Sequence, residues 1–345
     1  MQAEINSQYR YLVELRRTPD LSGVPLFSQD VTARDLEELV AETFVNGVLG
    51  QVLPDDPTEV RCALTPQWRA EPVVAHIDIT MTAVRSGAQV TITRPFDSGH
   101  WTRIAQAASV PLREDATVSP NEVLYILLLA LPIQHAEARW SLPLESPVIF
   151  DQSLAECGVR GLAAGSLTPD RPVLIGQRLV DDAIHRCEQA GSNEAGAAVL
   201  GKIVRLAEPL PNTTTRLVTL LSTLVDDPRH EGTSLRLAFS PAALAEAAEI
   251  AALRGMHETV QTVYHSHGWS SECAACQRDG TCPLAGATPS LQDYAVLESL
   301  VSSKATLMPI AGRAAGVQQQ RPILRVFAWR GGQMCQSGGK HIWIK

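Results

Sequence analysis

Apolar positions along this chain switch between two periods. Thr32-Ala-Arg-Asp35 reads as a capping box, and Leu36, Leu39, Val40, Phe44 and Val48 then recur at helical spacing, with Thr43 the polar exception on that face. Glu59–Leu64 predicts a strand. Val73–Val84 and Gln89–Thr93 predict two more, joined through Arg85-Ser-Gly-Ala as a hairpin. Helices are predicted near Trp101–Ser109 and over Pro120–Leu131. Together these elements predict an N-terminal α+β domain over residues 1–140.

Leu142-Pro-Leu-Glu-Ser-Pro147 carries two prolines and opens an expected linker over residues 141–170. Beyond it, strands are predicted at Arg171–Gly176, Ala197–Leu206, Leu235–Phe239, Thr259–Ser266 and Ile323–Trp329. Helices are predicted at Val180–Gln189, at Ser240–Leu253, where Ser240 caps and Pro241 takes the first helical position, and at Pro289–Ser302. A second domain of mixed α/β character is therefore expected over residues 171–345. The fold class expected for the whole chain is α+β.

Composition narrows the function classes. Hydrophobic residues make up 45% and charged residues 19%, which is enough apolar material for packed cores and excludes wholesale disorder. The formal charge of -8, with no block of Lys or Arg, argues against a nucleic-acid binder held by phosphate contacts. The longest apolar run, Val123–Leu131, has nine residues and ends at Pro132, whereas a membrane helix needs about 20. The first residues hold no basic stretch followed by an apolar one, so a cytoplasmic protein without membrane association is expected. Seven cysteines, an odd number with three inside ten residues, fit a metal cluster in a reducing compartment better than a disulfide framework.

The chemistry concentrates in three short stretches. In Val263-Tyr-His265-Ser-His267-Gly, residues two apart on a strand share a face. The pair therefore presents two imidazoles side by side. Two neutral imidazoles, one carboxylate and an open position make a catalytic zinc site. A candidate carboxylate lies in Ser290-Leu-Gln-Asp293, which also reads as a capping box. Both readings are compatible, because a residue in a first helical turn can face a strand end. Glu194 precedes the glycine-spaced strand Ala195-Gly-Ala-Ala-Val-Leu-Gly201. Alone it reads as a solvated loop glutamate.

In combination, Glu194, then His-Ser-His, then Ser-x-x-Asp resembles the JAB/MPN metallopeptidases, the JAMM group, over about residues 171–335. The glutamate-bearing strand, the helix Ser240–Leu253 and the strand leading into the metal turn all look like their family counterparts. The resemblance implies a cytidine-deaminase-like metallopeptidase fold in the C-terminal domain. It implies that His265, His267 and Asp293 are zinc ligands, that Glu194 is the general base, and that Ser290 helps stabilise the oxyanion. It further implies a hydrolase that cleaves after the C-terminal glycine of a ubiquitin-like protein, in processing or deconjugation. Expected partners are that protein, its conjugates, and E1-like and E2-like proteins, as in bacterial conjugation systems linked to antiphage defence. Two alternatives stand beside it: release of a small molecule such as cysteine from a sulfur-carrier tail, and a catalytically inactive scaffold. A related family linked to DNA repair shares part of the motif, but the acidic balance argues against it. The N-terminal domain is expected to hold a partner or the substrate body.

Two departures mark this chain. Gly268 follows the second histidine where the family usually has proline. Twenty-two residues separate His267 from Ser290, against a much shorter family spacing. The insertion, residues 269–288, carries Cys273-x-x-Cys276-x5-Cys282, a candidate second, structural zinc site. His257, Cys335, His341 or solvent are the candidates for its fourth ligand.

Overall fold

The structure is a computed structural model. It describes residues 1–96, 99–119, 121–133, 138–159, 172–211, 213–226, 231–232, 237–238, 241–268, 286–290, 293, 307–313, 321–330, 333–336 and 342–344. The chain divides into two compact units, Met1–Ser146 with Arg330–Gln333, and Pro147–Trp329 with Met334–Lys345. It mixes sheet and helix in an α+β architecture.

The first unit holds β1 (Gln2–Ser7), β2 (Tyr9–Arg16), β3 (Phe27–Asp30), α1 (Ala33–Leu49), β4 (Glu59–Ala70), β5 (Val73–Arg85), β6 (Ala88–Phe96), α2 (Gly99–Glu114), β7 (Tyr125–Pro132) and β8 (Ala138–Pro143). Its eight strands run β3-β2-β7-β5-β4-β1-β8, with β6 also on β5. The Thr32 capping box forms as predicted, and Leu36, Leu39, Val40, Phe44 and Val48 are buried. The exception, Thr43, donates its hydroxyl to the Leu39 carbonyl one turn back, so a polar side chain is buried without an orphaned donor. The β5–β6 hairpin turns through Ser86 and Gly87, both at positive φ. Buried and outward positions alternate along β4 and β5, as expected for a sheet covered on one face. On the outward side, Glu4, Asn6, Arg61, Thr80, Thr82 and Arg139 help line a cavity of about 540 Å³.

Residues 120–131 correct the predicted helix, since Tyr125–Pro132 is strand β7. It pairs with β2 along its whole length and with the start of β5. Leucine favours helices only weakly, and burial inside a sheet overrides that preference. The expected linker also holds regular structure, because residues 141–143 close β8, whereas β9 (Ile149–Gln152) pairs with the second unit's sheet.

The second unit continues with β10 (Val173–Gly176), α3 (Gln177–Ala190), β11 (Gly196–Leu206), β12 (Leu217–Asp226), β13 (Glu231–Gly232), β14 (Leu237–Ala238), α4 (Pro241–Arg254), β15 (Thr259–Ser266), β16 (Leu307–Arg313), β17 (Pro322–Arg330), β18 (Gln333–Gln336) and β19 (Ile342–Ile344). The main sheet runs β18-β17-β16-β15-β11-β12-β10-β19, with β9 on β11. Helices cover both faces. Ala197, Val199 and Tyr264 pack with Leu179, Val180 and Ala183 of α3, whereas Ala198 and Leu200 pack with Ala247 and Ala251 of α4. The alanines of α4 allow close approach of helix and sheet. Of the strand predicted at Leu235–Phe239, Leu237–Ala238 forms β14, paired with β13, and residues 235, 236 and 239 lie outside the described residues.

Candidate metal centre

β15 lies between β11 and β16 in the second sheet, antiparallel to the first and parallel to the second. Its C-terminal end is held on both sides. Ser266 N–H donates to the Ala195 carbonyl at 2.8 Å, and His267 N–H donates to the Ala311 carbonyl at 2.8 Å. Below this end, Tyr264 donates its hydroxyl to the Ala183 carbonyl of α3 at 2.6 Å. The two histidines thus leave a strand whose end has little freedom.

Both histidines are buried, and their rings converge. His265 Nε2 lies 3.1 Å from His267 Nε2, 3.0 Å from Asp293 Oδ1, and His267 Nε2 lies 3.4 Å from Asp293 Oδ2. Three ligand atoms around a tetrahedral zinc, with bonds of about 2.0–2.1 Å, stand about 3.3–3.4 Å apart. The two imidazole nitrogens, 3.1 Å apart, stand near such an edge, and each has a different oxygen of the Asp293 carboxylate close by. The donor set of two imidazoles and one carboxylate also suits zinc. Among the described residues these three side chains form a group able to hold a metal ion.

The tautomer of His267 follows from its other nitrogen. Nδ1 lies 2.7 Å from the Gly286 carbonyl oxygen. A carbonyl only accepts, so Nδ1 carries a proton, and Nε2 is the nitrogen left to face the cluster and to ligate once its own proton is lost. Gly286 itself is tied down by a parallel bridge to Arg313.

Asp293 closes the predicted capping box and also lies against both histidines. Ser290 N–H donates to Asp293 Oδ2 at 2.5 Å, and Asp293 N–H donates to Ser290 Oγ at 3.4 Å. These are the reciprocal bonds of a capping box, and the same carboxylate meets both histidines. Ser290 is therefore adjacent to the cluster and half-buried. Residues 291–292 and 294–302 of the predicted helix lie outside the described residues.

Glu194 lies two residues before Gly196, which pairs with His265, and its neighbour Ala195 bonds Ser266 one step further along. Glycine opposite His265 leaves room there. The carboxylate is half-buried and senses His265, His267 and Asp293.

The electrostatics of the metal-free cluster are those of packed opposite charges. Burial lifts the Glu194 carboxyl above its ordinary value, a rise that the two histidines moderate and Asp293 reinforces. Burial opposes the charged form of His267, but Asp293, the Gly286 carbonyl and Glu194 outweigh it and push its pKa up. Burial would likewise raise Asp293. The histidines and the Ser290 amide prevail and hold it well below the carboxylate range.

No protein-family model matches the chain, and no curated protein matches it. The site stands on its own geometry. Among solved structures, one similar chain is a protein from Desulfitobacterium hafniense determined in solution, 12% identical, with 48% of this chain and 88% of that chain covered at a TM-score of 0.30. Likeness at that level carries no argument about fold or chemistry.

The structure thus brings together His265, His267 and Asp293, with Ser290 bonded to Asp293 and Glu194 near enough to interact with them electrostatically. Cys273, Cys276 and Cys282 lie outside the described residues, as does His341. His257 stacks on Phe150 at the opposite end of β15 from the metal turn. Two contributors escaped the sequence reading. The Gly286 carbonyl is backbone and leaves no side-chain signal. Ser266 reads in the sequence only as the spacer between the histidines.

Proposed function

We propose that residues 171–345 form a JAB/MPN-type metallopeptidase domain whose zinc is held by His265, His267 and Asp293. The observation that carries this reading is the convergence of those three buried side chains, with His267 fixed in the ligating tautomer, beside a half-buried carboxylate. The supporting order of parts is Glu194, β11, α4, β15, His265, His267, Ser290, Asp293.

Zinc bound there supplies Lewis acidity, polarising a carbonyl and lowering the pKa of a bound water toward about 7. Glu194 takes the proton from the attacking water and passes it to the leaving amine. A carboxylate beside that water can take up and hand on a proton, the role of a general acid–base group. The Ser290 hydroxyl donates to the oxyanion, a contact realised chiefly in the transition state. Asp293 keeps its charge throughout, because two imidazoles and the Ser290 amide face it.

The substrate class we assign is the C-terminal tail of a ubiquitin-like protein. A glycine tail is slim enough to pass a buried cluster, and an extended tail bonds through its main chain. The test is cleavage of ubiquitin-like proteins carrying a C-terminal peptide or lysine-linked extension by the zinc-loaded chain. Cleavage after the terminal glycine, lost in Glu194→Gln, is the expected result. Zinc-loaded protein that cleaves no such fusion but frees cysteine from a sulfur-carrier tail would move the substrate to the small-molecule class. Inertness toward both would leave a scaffold.

A further inference from the structure

We propose that Ser266 and Gly268 are positioning residues that hold Glu194 against the His265–His267–Asp293 cluster. The inference rests on the reading of Glu194 as the general base. Alternation along β15 sends His265 and His267 to one face and Ser266 to the other. Ser266 does not touch the cluster. It grips the residue next to Glu194: its Oγ accepts from the Ala195 N–H at 2.9 Å, and its own N–H donates to the Ala195 carbonyl at 2.8 Å. In a regular antiparallel pair the first of these bonds would go to the Ser266 carbonyl. The hydroxyl takes that place, and the ladder is prolonged one step past Gly196–His265 while the chain turns away.

Gly268 acts from the other side. A Cβ built there would fall 2.7 Å from the Asn193 carbonyl oxygen, 2.5 Å from the Ser192 carbonyl carbon and closer still to the Ser192 oxygen. These are backbone atoms, so no rotamer change relieves the clash. The φ of Gly268 lies outside the left-handed region, so glycine is required for space and not for conformation. Any side chain, including the proline of the family this chain resembles, would drive residues 192–193 outward. Only five residues join the end of α3 at Ala190 to Gly196, and Glu194 stands two residues from Ser192, so displacing Ser192 is expected to move Glu194. The Gly268 departure is a part of the site, with the glutamate loop seated directly on the metal turn.

The test compares Ser266→Ala, Ser266→Thr and Gly268→Ala in the full-length, zinc-loaded chain. Three quantities are read: zinc per chain, hydrogen exchange of the Ala195 amide, and kcat and KM on a cleavable ubiquitin-like fusion. For Ser266→Ala we expect full zinc, Ala195 exchange about tenfold faster for the lost hydrogen bond, and kcat about 10–100-fold lower with KM within about twofold, as for a displaced catalytic group. Ser266→Thr keeps the hydroxyl and restores all three. Gly268→Ala keeps zinc and lowers kcat by a similar factor. Unchanged Ala195 exchange and kcat in both Ser266→Ala and Gly268→Ala would overturn the proposal, as would zinc loss or unfolding in both. If the wild-type chain binds zinc but cleaves nothing, the general-base reading fails. The exchange measurement then still decides whether Ser266 pins this loop.

Discussion

The two sheets bury polar groups in different ways. In the first unit β4 and β5 alternate between buried and outward positions, and the buried polar groups find partners close by in sequence. Glu14 and Arg16 pair at 2.6 Å two residues apart, and Thr43 bonds the carbonyl four residues back. In the second unit β11 is buried at ten of eleven positions, because α3 and α4 cover opposite faces. There the buried Asp293 meets His265 and His267 from a segment 26 or more residues further along the chain. Short-range partners satisfy a donor as the chain folds locally. Long-range convergence of acceptors, with two imidazole nitrogens 3.1 Å apart, has to be imposed by the whole fold. It leaves lone pairs facing one another unless a proton or a cation lies between them. The first pattern satisfies donors within the fold, and the second makes a group able to hold a metal ion.

The largest expected effect that sharpens this contrast is Glu194→Gln. It should lower kcat by about 100–10,000-fold, the range for a general acid–base group, while zinc per chain stays constant. A parallel fall in zinc would make Glu194 a ligand instead.

Next comes Ile79→Ala, in the alternating sheet. Ile79 is fully buried, and truncation should cost about 2–5 kcal/mol, read from urea unfolding, with zinc affinity of the folded fraction unchanged. In the same unit the Cys62 thiol, pushed up to about 12 by burial, stays protonated at neutral pH. Its alkylation should therefore report unfolding of that unit.

A pH prediction separates the apo and loaded forms of the second unit. His267 and Glu194 lie above their ordinary values, so their contribution to apo stability is present below the unfolded values and lost as pH rises through the folded ones. Asp293 lies below its ordinary value, so its contribution is present above the carboxylate range of about 3.9 and lost as pH falls. The apo protein should thus melt lower at pH 8 than at pH 5. Zinc reverses the slope, because it must displace the His267 proton. Its affinity should fall up to tenfold per pH unit below the folded pKa of His267 and level off above it. Equal slopes with and without zinc would remove the cluster from the account.

The smallest effect is expected on the outward face of the first sheet. Thr80 and Thr93 share a hydrogen bond of 3.1 Å between exposed hydroxyls. Thr80→Val should change stability by no more than about 0.5 kcal/mol.

Local signals in the sequence carried much of the fold. Capping residues, a turn pair and sustained periodicity located α1, the β5–β6 hairpin, α3, α4 and β15. Elements without such signals were missed. β1 alternates cleanly, with Ala3 and Ile5 buried, but is too short and polar to stand out. β12 and β16 are buried along most of their length and show no alternation of period two. β7 was misread as helix because its leucines favour one, and the sheet around it decides otherwise. The site was legible through motif order, not through spacing. Nothing local places Asp293 beside His265 across 28 positions. The bond from His267 to Gly286 lies still further from reach, since a backbone carbonyl has no residue identity.

The most direct measurement is metal content by mass spectrometry on the purified chain, beside His265→Ala/His267→Ala and Cys273→Ala/Cys276→Ala. The account predicts at least one zinc per chain in the wild type, one lost with the histidines, and that same zinc kept when the cysteines are replaced. Zinc content unaffected by the histidine pair, or no zinc after reconstitution, would contradict it.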